Sequence, residues 1–77
     1  MYLNELGAGR SGIITKVNGE GALRRHMLDM GLTPKTLVTV RKTAPLGDPI
    51  ELFLRGYELT IRKEDAMIIE IDEVENS

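Results

Sequence analysis

Few residues in this chain could do chemistry, and their spacing decides which chemistries survive. His26 is the sole histidine, and Asp29 follows it at i+3, which puts both on one side of a helix. Two ligands are fewer than the three or four that hold a metal firmly, so the pair reads as exposed helix polarity. Iron or zinc would bind there weakly, or with ligands from a symmetry-related chain. The chain has no cysteine, which removes thiolate metal sites, iron–sulfur ligation, disulfides and cysteine nucleophiles together. Ser11 and Ser77 are the only serines, and neither has a histidine and an acid nearby in sequence. No nucleophile–base set is therefore expected. The twelve carboxylates fall mostly at solvent-facing positions of alternating segments, so no catalytic residue and no required cofactor is expected.

Residues 7–12 match G-x-G-x-x-G. A dinucleotide cradle needs a strand before that motif and a helix after it. Here six residues precede it and a β-branched run follows, so the motif reads as a turn into a strand. Basic residues come in pairs, Arg24-Arg25, Arg41-Lys42 and Arg62-Lys63, but acids stand close by and the net charge is −2. Only three aromatics are available for base stacking, so nucleic acid is not an expected partner. The same poverty removes the aromatic groove that proline-rich peptides need.

The elements that must position these residues are short. Seventy-seven residues make one domain, which at this size buries only about 60% of its unfolded surface. Ser11–Val17 is β-branched and closes on Asn18-Gly19, a strand with its turn. Leu23, Met27 and Met30 fall at i, i+4 and i+7, with polar residues between, the pattern of an amphipathic helix over 20–30. Gly31 follows where a left-handed cap is wanted, and Pro34 prevents continuation. Residues 37–42 alternate as a strand, and 44–49 are turn-rich with two prolines. Ile50–Leu54 and Tyr57–Arg62 alternate around Arg55-Gly56, the signature of a hairpin. Tyr57, Leu59 and Ile61 share one expected inward face. Residues 63–66 suggest a single helical turn, 67–71 a last strand with Met67, Ile69 and Ile71 on one side, and 72–77 a frayed acidic tail.

These elements predict a mainly β fold, a small SH3-like barrel of about five strands with one amphipathic helix inserted after the first. Curling hides the apolar faces and most of the sheet edge. Any edge left unpaired could associate symmetrically as a homodimer. The longest apolar run is four residues, Ala66–Ile69, far below the roughly 20 of a membrane span. No apolar leader core follows the first residues, so a cytoplasmic protein is expected. Phe53 is out of phase with Ile50, Leu52 and Leu54. It is therefore either an exposed interface anchor or part of a second small cluster. Met27 and Met30 fit core packing better than an adaptable binding surface.

Residues 23–34, LRRHMLDMGLTP, strongly resemble a signature of the FeoA family, small cytosolic proteins of bacterial ferrous iron uptake. The resemblance continues through Ala44–Ile50 and Arg55–Leu59, in order and with family-like spacing. His26 and Phe53 are mild departures from it. The resemblance implies an SH3-like barrel and a non-enzymatic accessory role toward FeoB, the membrane ferrous iron transporter with a cytosolic GTPase domain. It implies recruitment to the inner face of the membrane through that partner, without insertion. The expected contact face is the exposed side of the helix (Arg24, Arg25, His26) with the 44–49 loop (Leu46, Asp48), and Phe53 as anchor. The alternative is a transition-metal-responsive module similar to the C-terminal domain of iron-dependent repressors, using His26 and nearby carboxylates such as Asp29.

Overall fold

The computed structural model describes residues 1–75. A 3₁₀ turn over Leu3–Glu5 precedes β1 (Ser11–Val17), α1 (Gly21–Asp29), β2 (Leu37–Thr43), β3 (Ile50–Leu54), β4 (Tyr57–Ile61), α2 (Lys63–Ala66) and β5 (Ile69–Val74). All strand pairs are antiparallel, and the sheet order is β4-β3-β2-β1-β5. The architecture is mainly β, with the helix inserted after the first strand.

The wrap of this sheet follows from where its apolar side chains go. One buried cluster takes Ile14 and Val17 from β1, Val38 and Val40 from β2, and Ile50, Leu52 and Leu54 from β3. Ile61 of β4 and Ile69 and Ile71 of β5 complete it, with Leu3, Leu6, Met27, Leu32 and Ala66 sealing the ends. A flat sheet could not bring both edge strands to one cluster. Register shifts at Ile14/Lys16 and at Val40/Lys42 supply the bends. Gly12 permits a close approach of β1 and β5. A Cβ there would lie 2.8 Å from Ile71 Cδ1 and 3.1 Å from the Asp72 carbonyl oxygen. The free edge of β5 is partly covered by the N-terminus, where Ile71 N donates to the Met1 carbonyl at 2.8 Å and Tyr2 bridges Glu70.

Four expectations change. Residues 72–74 are not a frayed tail. Asp72, Glu73 and Val74 pair with Ile13, Gly12 and Ser11, and Glu73 forms an ion pair with Arg10. Acidic residues are tolerated there because this end of the edge strand is exposed on both faces, with Asp72, Glu73 and Val74 all in contact with water. Of the rest of that stretch, Glu75 is exposed beyond the strand, and residues 76 and 77 lie outside the described residues. Met67 is not in the last strand. It ends α2 with 55% exposure, and the helical turn delays β5 to Ile69. Leu23 is exposed, because only the second half of α1 meets the core: Met27 is buried, with Leu28 and Met30 packed beside it. Tyr57 is partly exposed rather than inward. Its hydroxyl reaches across Gly31 to donate to the Met30 carbonyl.

Candidate functional site

The sequence-predicted residues occupy separate places. Arg24, Arg25, His26 and Asp29 all lie exposed on α1. Arg24 is also structural, because its Nε donates to the Val17 carbonyl at 3.1 Å and ties the helix to the end of β1. Leu46 stands at 92% exposure in the 44–49 loop. Asp48 in that loop accepts from the Lys63 backbone N–H at 3.0 Å, joining the loop to the first turn of α2. The peptide bond between Asp48 and Pro49 is cis. Beside the loop is a hollow of about 400 Å³ whose lining includes Lys42, Pro45, Pro49, Glu51 and Thr60.

The helix and the loop do not come together as one cluster. Residues 30–36 lead from α1 into the start of β2, and the loop leaves from its other end. Seven extended residues span about 20 Å. Among the described residues, no hydrogen bond or ion pair joins α1 to the loop. His26 and Asp29 likewise find no third ligand. Among the described residues, no three His, Cys, Asp or Glu side chains gather closely enough to hold a metal ion.

Phe53 does project from the face opposite the core, as its phase requires. It is half-buried rather than free, because the Arg41 guanidinium lies 4.5 Å over its ring centroid. The register explains its surroundings. Phe53 pairs with Thr39 on β2 and with Glu58 on β4, and Thr39 pairs with Ser11 on β1. The register puts all of them on the sheet face opposite the core, where Ser11 is buried and its hydroxyl shares a hydrogen bond of 2.7 Å with that of Thr39. Ser11 is thus a sheet-face hydroxyl with its partner supplied. No buried side-chain polar atom among the described residues lacks a hydrogen-bond partner.

One step along β2, Leu37 points outward with 50% exposure, next to Ile13 of β1. Together with Phe53 and Thr39 it forms part of the floor of a groove of about 440 Å³, flanked by Lys35 and Arg55. Two local devices hold this groove open. Arg55 and Gly56 both have positive φ, at 48° and 85°, as a tight two-residue hairpin turn demands. The Arg55 guanidinium then donates to Thr33 Oγ1 at 2.9 Å and Thr36 Oγ1 at 2.8 Å. The connector carrying Lys35 is stitched to β1 by Lys35 N donating to the Ile14 carbonyl at 2.7 Å and Ile14 N to the Thr36 carbonyl at 2.9 Å.

Sequence reasoning named Phe53 but missed Lys35, Leu37 and Arg55 as its neighbours. Leu37 carried a usable signal: like Phe53, it is out of phase with its own strand's core residues, here Val38 and Val40. Nothing local marked Lys35 and Arg55, which meet only through the cross-strand register.

Comparison with known proteins gives concordant results. A family model described as the FeoA domain matches residues 1–73. The Fe(2+) transport protein A/Fe(2+) transporter FeoB fusion protein of Porphyromonas gingivalis is 38% identical over 72 residues. That match covers 94% of this chain, which spans only 8% of the length of the fusion protein. An NMR structure of a FeoA-like protein from Clostridium acetobutylicum is 34% identical, with a TM-score of 0.92 over 100% of this chain and 90% of that one. A zinc complex of FeoA from Stenotrophomonas maltophilia, described as a prokaryotic SH3 domain protein, shares the fold. Its TM-score is 0.82 at 21% identity, covering 94% of this chain and 89% of that one.

Proposed function

The chain belongs to the FeoA family of ferrous iron transport accessory domains, and we propose that it docks on the cytosolic part of the transporter FeoB and biases its assembly or nucleotide-dependent gating. The observation that supports this reading most is the fusion relative, in which a domain like this one is joined to the transporter in one polypeptide. A flexible tether holds two domains at millimolar effective concentration, so fusion makes sense where the separate pieces work in contact. To regulate, the docked chain must favour one state of its partner over another. In this reading the chain acts without catalysis of its own. It works at the inner face of the membrane through its partner, and no described helix is long and apolar enough to cross a membrane.

The contact residues we propose are Arg24, Arg25 and His26 on α1, Leu46 and Asp48 in the loop, and Phe53. Arg24 and Asp48 also carry hydrogen bonds of the fold, so Arg25 and His26 are the cleaner probes. The double variant Arg25→Glu/His26→Glu is expected to weaken co-purification with the transporter's cytosolic part by about tenfold, roughly 1.4 kcal/mol. Its thermal melt should stay that of the parent chain. Undiminished co-purification would remove α1 from the interface. A zinc ion accompanies the Stenotrophomonas maltophilia FeoA. In this chain the ligands on offer are His26 and Asp29, a two-residue set suited to weak binding of a transition metal rather than to a required cofactor.

A further inference from the structure

We propose that the groove between the start of β2 and the β3–β4 hairpin is a docking site for an acidic, extended peptide segment of a protein partner, one that carries an apolar side chain beside its carboxylates. The proposal deepens the reading of the chain as a docking module and rests on it.

The charge pattern comes first. The chain is net acidic, at −2, yet the charged residues lining this groove are the cations Lys35 and Arg55, and a third cation, Arg41, lies over the ring of the lining residue Phe53. The ion pairs among the described residues are Arg10 with Glu73 and Arg62 with Glu64, so none of the three groove cations has a carboxylate partner there. Glu58, the register neighbour of Phe53, forms no ion pair with them.

Backbone geometry adds an independent observation. Among the described residues, the non-glycine residues with positive φ are Lys35, at 75°, and Arg55, at 48°, and both line this groove; the hairpin turn accounts for Arg55, which leaves Lys35 as the position that turn does not explain. Left-handed backbone costs a residue with a Cβ about 1–2 kcal/mol, and such positions cluster where function demands them. Arg55 is also held in place before any ligand arrives. Two of its N–H donors are fixed on the Thr33 and Thr36 hydroxyls, and the rest of the guanidinium remains available to a planar carboxylate. Such preorganisation lowers the entropy lost on binding.

The floor decides the class of ligand. Leu37 is half exposed and Phe53 half-buried, so an apolar side chain has a surface to cover between the cations. A nucleic acid would need an open aromatic face for stacking, and here Arg41 covers the Phe53 ring. A compact phosphate would favour cations converging on a point rather than strung around an apolar strip. Carboxylates along an extended chain, with an aliphatic or aromatic residue between them, match what is present.

The test is a nuclear magnetic resonance titration of the whole chain with a synthetic acidic peptide in which glutamates alternate with leucine and phenylalanine. Expected are saturable shifts of the Leu37, Phe53 and Arg55 amides, with a Kd of about 0.1–1 mM. Replacing the glutamates with glutamines should weaken binding about tenfold, as should the variant Lys35→Asn/Arg41→Gln. Asparagine tolerates the left-handed backbone at position 35, and the variant's melt should fall by no more than the few degrees that losing the Arg41–Phe53 contact accounts for. The assignment is overturned if the glutamine peptide binds equally well. It is also overturned if shifts map to α1, if only a phosphoserine peptide or anionic phospholipid vesicles act on the groove, or if no shift appears at about 5 mM peptide. Failure here and failure of the docking role are separable. A Lys35→Asn/Arg41→Gln chain that co-purifies undiminished with the transporter's cytosolic part removes the groove and leaves the role. A parent chain that fails to co-purify, yet binds the peptide in the groove, removes the role and leaves the groove.

Discussion

Leu52→Ala is expected to destabilise the chain by about 3–4 kcal/mol, within the range for large-to-small changes in a packed core. Leu52 is fully buried at the centre of β3, paired with Val40 on one side and Leu59 on the other. It therefore packs toward both of the strands that flank β3. A domain of this size has a small core, and total stabilities of about 5 kcal/mol are common at the low end. The loss should leave a substantial unfolded fraction near physiological temperature. Urea denaturation followed by circular dichroism reads it directly. A shift in midpoint worth less than about 1 kcal/mol would mean that the core at this position is not closed as described.

Gly31→Ala carries the second largest expected effect, about 2–3 kcal/mol, through two mechanisms. Gly31 has φ of +96° immediately after α1, and a Cβ there would lie 2.5 Å from the Tyr57 hydroxyl. Left-handed backbone alone costs alanine about 1–2 kcal/mol. Moving Tyr57 aside breaks its hydrogen bond to the Met30 carbonyl, worth about 1 kcal/mol more. Two follow-up measurements separate the parts. Tyr57→Phe should lose only the hydrogen-bond share. Gly31→Ala in that background should recover part of its cost, since the ring without its hydroxyl leaves more room. Additive losses in the double variant would mean that the cap and the tyrosine act independently.

The same two residues explain what could be read from the chain and what could not. The glycine–proline punctuation after the helix marked the cap, and the alternation through Ile50–Leu54 marked β3, whose bounds are as expected. Local signals of this kind sufficed for five strands and a helix, and the wrap followed from the need to bury their apolar faces. Tyr57 was misread because its parity with Leu59 and Ile61 pointed inward, whereas its long side chain has a partner in the helix cap. Parity gives a direction but not a reach. Met67 and residues 72–74 were misread together. The helical turn of α2 displaced the strand start by two residues, and a displaced strand runs on until its partner ends. The acidic character of Asp72 and Glu73 suggested fraying, but the last residues of this edge strand are exposed on both faces and keep their carboxylates in water.

The candidate site was legible only in part, for a physical reason. Phe53 was visible because being out of phase is a local property. Its neighbours depend on which strand lies beside which and in what register, and no spacing within one segment encodes that. Lys35 and Arg55 are 20 positions apart and line one groove because α1 returns to β2 while Arg55 in the β3–β4 hairpin reaches back to Thr33 and Thr36 of the connector. The helix face and the 44–49 loop, by contrast, were drawn together by their prominence in the sequence. The topology sets them at opposite ends of β2.

The proposed role is binding to the transporter and discrimination between that partner's states. It is tested most directly by isothermal titration of the purified chain into the purified cytosolic part of FeoB, in separate runs with GDP and with a non-hydrolysable GTP analogue. The expected result is saturable one-to-one binding whose Kd differs between the two nucleotides by about fivefold or more, a coupling of roughly 1 kcal/mol. Heats that never saturate up to about 1 mM of chain, or equal affinity in both nucleotide states, would rule that role out.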